Sequence, residues 1–231
     1  MLAGHFTTAI IAKQQNPSVS LIFFLVVSQL QDLSWFVFHY LGLETTTPDD
    51  AFNATLNNME VDMLYSHDLI PLVIWCGLAF TAGSALYKNT QIGLVSAGLV
   101  AVHFIFDFFS GHLHHFFGSD SIEVGLGLYA TRPYLAILIE AVVSAFILGY
   151  FFRKERINGV KRSIKNKIMI LSVIAYGIVF MTLIATRSFR EIFGIPAFEL
   201  GFNSTVPTLI FTYGAMLYSL HYFVTTGSQT K

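Results

Sequence analysis

"QIGLVSAGLVAVHFIFDFFSGHLHH" (91–115) decides how this chain has to be read. It begins as an uninterrupted apolar run about 20 residues long, the length that crosses a bilayer. It then places His103 and Asp107 within that run and closes on three more histidines. His103 and Asp107 stand four residues apart, which puts both on one helical face. A charged or metal-competent pair in hydrocarbon is costly, so the face carrying it must meet protein rather than lipid.

The rest of the chain agrees with a membrane setting. Of 231 residues, 54% are hydrophobic and only 12% charged, about half the charge a soluble domain uses to coat its surface. Mean hydropathy is +0.63. Apolar runs predict an all-α bundle with six spans, at about 19–41, 67–87, 91–112, 132–152, 166–186 and 205–226, preceded by a short N-terminal half-helix in "LAGHFTTAIIAK". The half-helix, too short to cross, is expected to be re-entrant or interfacial. The balanced charge and the lack of any basic stripe exclude a nucleic-acid partner, and the single Cys76 excludes an intrachain disulfide.

Orientation follows from loop charge. The link 153–167 carries seven Lys/Arg and one Glu, whereas 42–66 holds five acids and no Lys or Arg. The basic link belongs on the cytoplasmic side, which places both termini there as well. The chain divides into a core, 1–152, and a C-terminal part, 153–231, that adds the basic loop and two further spans. Ionisable residues inside spans are concentrated in the core.

Three carboxylates in three spans fall in one layer. At 1.5 Å per helical residue, Asp32 and His103 both lie roughly 13 Å below the outer ends of their spans, Glu140 roughly 12 Å and Asp107 roughly 7 Å. Imidazole and carboxylate on one helix, met by a carboxylate from another, is how bundles build metal sites. Without thiolate, such a set suits a divalent metal, zinc above manganese or iron. A lone carboxylate in "LAILIEAVV" has to be paired or protonated, which makes Glu140 a candidate second functional residue. The plainer readings are an interhelical His–Asp hydrogen bond, a solvated loop for His112 and His115, and an interfacial aromatic for His39.

"AGHFTTAIIAKQQNPSVSL", "QLQDLSW", "YSHDL", "HFIFDFFSGH" and "GLGLY", in that order, resemble a divergent branch of the membrane-bound, metal-dependent hydrolases, some described as LexA-regulated inner-membrane hydrolases. The resemblance covers about residues 2–150. It implies His5, Asp32, His67, His103 and Asp107 as metal ligands. The better-known branch has a P-D-x-D motif and then H-R-G-x-T-H-S. This chain has only "LQDLSW" and "YSHDL", without the second Asp and the upstream His.

The expectation is therefore an inner-membrane enzyme of bacterial type. Its His/Asp-bound metal would activate water toward an ester or phosphoester of a lipid or lipid-linked substrate. Glu140 would orient a ligand or act as general base. The alternative expectation is a metal-ion or proton transporter that uses the same Asp, Glu and His side chains as a relay.

Overall fold

The structure is a computed structural model that describes residues 2–196, 201–226 and 228–229. It is mostly helical. Helices α1 (Leu2–Gln15), α2 (Leu21–Ser28) and α3 (Leu30–Tyr40) lead to a small antiparallel ribbon, β1 (Thr45–Thr47) against β2 (Glu60–Asp62). The hairpin of long helices α4 (Leu69–Tyr87) and α5 (Thr90–Ser110) follows. A two-residue ribbon, β3 (His114–His115) paired to β4 (Glu123–Val124), and the one-turn α6 (Leu128–Thr131) connect to α7 (Pro133–Ile157). The chain continues through β5 (Lys161–Arg162), α8 (Ile164–Leu183), the short α9 (Phe189–Phe193) and α10 (Thr205–Thr226). A last strand, β6 (Ser228–Gln229), pairs with β5.

Among the described residues, four helices, α4, α5, α7 and α8, are long and apolar enough to cross a membrane, or five spans if α2 and α3 together count as one. This corrects the six expected. The run 205–226 forms a helix of 22 residues, but its threonines, tyrosines, Ser219 and His221 dilute its apolar character, and it is not among the candidate spans. The run expected as one straight span at 19–41 is two helices meeting at 62°. The spans that do form turn apolar side chains outward: Val73 and Phe146 are 70% and 78% exposed. Exposed rows of this kind are a surface for lipid rather than water.

Of the two alternatives for the N-terminal half-helix, α1 departs from the interfacial one. Most of its residues, from Leu2 to Ala12, are buried, packed among α2, α5, α7 and α8. Small residues let it fit: a Cβ on Gly177 of α8 would lie 3.3 Å from the Cβ of Ala3. A helix in the centre of a bundle cannot hydrate its first N–H groups, which have no partners within the helix. Glu140 of α7 supplies the missing acceptor. Its Oε1 takes the N–H of Ala3 and, at 3.2 Å, that of Gly4, while Tyr129 donates its hydroxyl to Oε2 at 3.3 Å. The negative charge also suits the positive end of the helix dipole.

At the opposite end of α7, Arg162 is nearly buried and pairs with Glu155 through two nitrogens, at 2.9 and 2.6 Å. The same guanidinium donates to the carbonyls of Phe223 and Val224, the last-turn acceptors of α10. The end of α10 is thereby tied to the α7–α8 link.

Candidate metal centre

Five side chains from five places in the sequence meet under the 42–68 segment. His5 comes from the first turn of α1, Asp32 from the first turn of α3, His67 from just before α4, and His103 and Asp107 from successive turns of α5. All five are at least 93% buried. His5 Nε2 lies 3.2 Å from Asp107 Oδ1, and His103 Nε2 lies 3.1 Å from Asp107 Oδ2. His67 Nε2 is 3.3 Å from Asp32 Oδ1, and His103 Nε2 is 3.7 Å from Asp32 Oδ2. Two overlapping sets result, His5/His103/Asp107 and Asp32/His67/His103. Within each, one ligand atom per residue lies within 4.8 Å of the others. The five residues implied by the motifs are therefore brought together.

The hydrogen bonds behind the rings fix which nitrogen faces inward. Glu44 is 1% exposed and accepts the N–H of Tyr65 and of Ser66, at 2.7 and 2.8 Å, and the Ser66 hydroxyl at 2.9 Å. Ser66 Oγ also lies 2.7 Å from His67 Nδ1. Because the Ser66 hydrogen is committed to the carboxylate, His67 Nδ1–H must be the donor in that second contact. Nε2 is left as a lone pair facing Asp32.

His103 is held by a different device with the same result. The break between α2 and α3 releases the Ser28 carbonyl from the helical ladder, and His103 Nδ1–H donates to it at 2.8 Å. A side chain inserted into the i→i−4 ladder is a recognised cause of a kink. His103 Nε2 is buried and faces Asp107 Oδ2 at 3.1 Å. In the neutral ring it too presents a lone pair to the carboxylates. Ring nitrogens oriented through the far nitrogen are characteristic of metal-bound histidine.

In their neutral forms, two imidazole lone pairs directed at two carboxylates repel unless a proton or a metal ion lies among them. Donors 2.0–2.1 Å from a tetrahedral ion are roughly 3.3 Å apart, and the separations of 3.1–3.7 Å quoted above bracket that value. One divalent ion would also balance the two carboxylate charges, as a buried cluster requires. The residues fit a metal ion, and these buried His/Asp groups could hold one.

Tyr213 of α10 donates to Asp32 Oδ2 at 3.0 Å. With its amide nitrogen turned toward Asp32, Gln29 donates to the same oxygen at 3.1 Å and accepts from Phe6 N–H at 3.2 Å. Asp68, next to His67, accepts from the backbone N–H of His115 and Gly118 at 2.8 and 2.7 Å, pinning the loop that follows α5. Glu140 meets this assembly only through α1: it holds the helix end whose first turn carries His5.

A cavity of about 80 Å³ opens over the cluster, touching Asp32, His67 and Asp107, with room for several water molecules. His114 is part of its lining. α5 stops at Ser110, so His114 does not reach the site by helical spacing. The β3–β4 ribbon turns it inward instead, with its ring stacked on His67 at 5.4 Å. Burial pushes its imidazole down to about 3. His112 lines the same cavity, whereas His115 is half-buried, 4.0 Å from Asp68. His39 stays outside the cluster, edge-on to Tyr40.

Sequence reasoning missed Glu44, Ser66 and Tyr213. Only Ser66, adjacent to a candidate ligand, carried any local signal. No protein-family profile, curated protein or solved structure matches this chain.

Proposed function

We propose that this protein is a membrane-embedded, metal-dependent hydrolase of an ester or phosphoester in a lipid or lipid-linked substrate. The observation that carries this reading is the pair of inward ring nitrogens, on His67 and His103, whose far nitrogens are engaged by Ser66 and by the Ser28 carbonyl and which face two buried carboxylates. The motif resemblance to membrane-bound, metal-dependent hydrolases points the same way.

A bound divalent ion, zinc by the donor set, would supply Lewis acidity and lower the pKa of a water at the site. His5, Asp32, His67, His103 and Asp107 would hold it. Asp32 is kept in place by Tyr213 as well as by the ion, and Asp107 lies between His5 and His103. Glu140 serves as a positioning residue, because its carboxylate is engaged by two backbone N–H groups and a phenol. The shell of apolar side chains around the cavity excludes bulk water, which strengthens every electrostatic contact inside it.

The setting is a bacterial-type inner membrane, with the basic link 153–167 on the cytoplasmic side. α8 begins at that link and reaches the cavity with Met181, near its other end. The cavity therefore opens toward the outer leaflet, where a lipid head enters.

The test is elemental analysis of purified protein together with hydrolysis of a panel of lipid esters and phosphoesters. The expected result is stoichiometric zinc and turnover that stops on chelation. Absence of bound metal overturns the reading. Metal without hydrolysis, alongside metal- or proton-dependent flux in liposomes, replaces it with the transporter.

A further inference from the structure

His114 stands apart from the other polar side chains that line the cavity. It is 2% exposed, and both ring nitrogens are buried without a hydrogen-bond partner among the described residues. Burying two unsatisfied polar atoms is unfavourable, and native structures retain such groups where something else is to be bound. The geometry around it is rigid. The β3–β4 ribbon and the Asp68 contacts hold the backbone, and His67 and Phe104 flank the ring at 5.4 and 5.9 Å.

The remainder of the cavity shows what chemistry would arrive. Its apolar wall includes Met59, Met63 and Met181 among leucine, valine, isoleucine and tryptophan side chains. Methionines are unbranched side chains that move aside for an alkyl chain at low cost. The described residues lining it include no lysine or arginine. Its two carboxylates already offset one divalent ion, so no positive charge is left over for a dianionic head.

We propose that His114 is the substrate-oxygen-binding residue of this cavity, and that the ligand is a single-chain amphiphile whose ester head carries at most one negative charge. The imidazole offers one N–H donor and one acceptor, enough for a carbonyl or phosphodiester oxygen and an adjacent hydroxyl. The methionine-lined wall takes the chain. This inference rests on the metal-site reading and adds the substrate class to it.

The experiment is calorimetric titration of zinc-loaded protein in detergent with dodecyl methyl phosphate, a monoanionic diester, and dodecyl phosphate, a dianion. Wild type should bind the diester more tightly. His114→Phe keeps a ring against His67 but removes both nitrogens. It should retain wild-type zinc content while losing roughly ten- to a hundred-fold in diester affinity, the effect of one hydrogen bond to a charged group. His114→Gln should recover most of that loss. Unchanged diester affinity in His114→Phe, or tighter monoester binding by wild type, overturns the proposal. Zinc loss in His114→Phe also overturns it, by making His114 a ligand.

If wild type takes up no zinc, the metal reading fails separately. The same titrations on zinc-free protein then decide His114, because a hydrogen bond from imidazole does not need the ion. Should His114→Phe not fold, His114→Ala takes its place, with added imidazole expected to restore diester affinity and an absence of rescue counting against the proposal.

Discussion

Tyr213 donates its hydroxyl to Oδ2 of Asp32 across 181 residues of sequence, at 3.0 Å. The bond joins the last helix to the first turn of α3 and aims one carboxylate at the cluster. Tyr213→Phe removes only the hydroxyl. Outer hydrogen bonds of this type are worth roughly 10- to 100-fold in metal affinity. The expected outcome is a loss of that size in zinc affinity, measured by competition with a chelator, with helicity unchanged. Wild-type affinity would show that Asp32 is positioned without α10.

His103 and Asp107 serve in both halves of the cluster or beside them, so either truncation removes a donor that nothing replaces. His103→Ala and Asp107→Ala are each expected to purify without stoichiometric metal. His115→Ala, with its ring half-buried and 4.0 Å from Asp68, is expected to keep it. Elemental analysis of the three variants is the check, and equal losses in all three would move the site into the loop.

Glu140 accepts from the first N–H groups of α1, so its substitution should act through His5. In Glu140→Gln the amide oxygen still accepts, but the charge facing the helix end is gone, and the amide NH₂ must turn toward the Tyr129 hydroxyl. Lower thermal stability and weaker zinc binding are expected together, with turnover per zinc-loaded molecule close to wild type. A drop of 10²–10⁴-fold in turnover at full loading is the signature of lost acid–base help and would make Glu140 a proton-transfer group instead.

Burial raises the Glu44 carboxyl above its ordinary 4.5, against the hydrogen bonds from Ser66 and Tyr65. A carboxyl with a raised folded pKa holds its proton more tightly in the folded state. Stability therefore falls as pH rises from about 4.5 through the raised value. Glu44→Gln removes this contribution. Thermal unfolding of metal-free protein between pH 4 and 7 should show a steeper decline for wild type than for the variant. Parallel curves would mean that Glu44 does not titrate in this window.

Ser66→Ala separates orientation from charge. It leaves Glu44 in place but removes the acceptor for His67 Nδ1–H, freeing the ring to change tautomer. Zinc affinity should fall roughly 10- to 100-fold without loss of folded protein. Retained affinity would show that packing alone orients His67.

Much of this arrangement could be read in the sequence, for a simple reason. A polar residue inside an apolar run is conspicuous, so His103, Asp107, Asp32 and Glu140 declared themselves, and the helical period placed the first two on one face. What could not be read was whatever depended on a break in the pattern. The run from 19 to 41 looks like one span because nothing in its apolar pattern marks the bend at Gln29. At the bend a ring from α5 takes up the freed Ser28 carbonyl. His114 could not be placed by helical period, since the helix ends at Ser110 and a ribbon returns the side chain. Glu44 and Tyr213 lie in segments where a Glu or Tyr is ordinary, and only tertiary structure gives them partners. The sixth expected span was counted on length alone, without the tally of hydroxyls that leaves α10 less apolar than the candidate spans.

The central position of α1 bears on how the protein is made. Ribosomes deliver α1 before α7, and the carboxylate that closes the leading end of α1 arrives 137 residues later. Until α7 has been inserted, α1 has uncapped amides, and His5 has no fixed place. The nascent chain must hold this segment aside and admit it to the bundle after most of the other helices are in place. A metal ion that needs His5 as a ligand would then be captured only after α7 is in place.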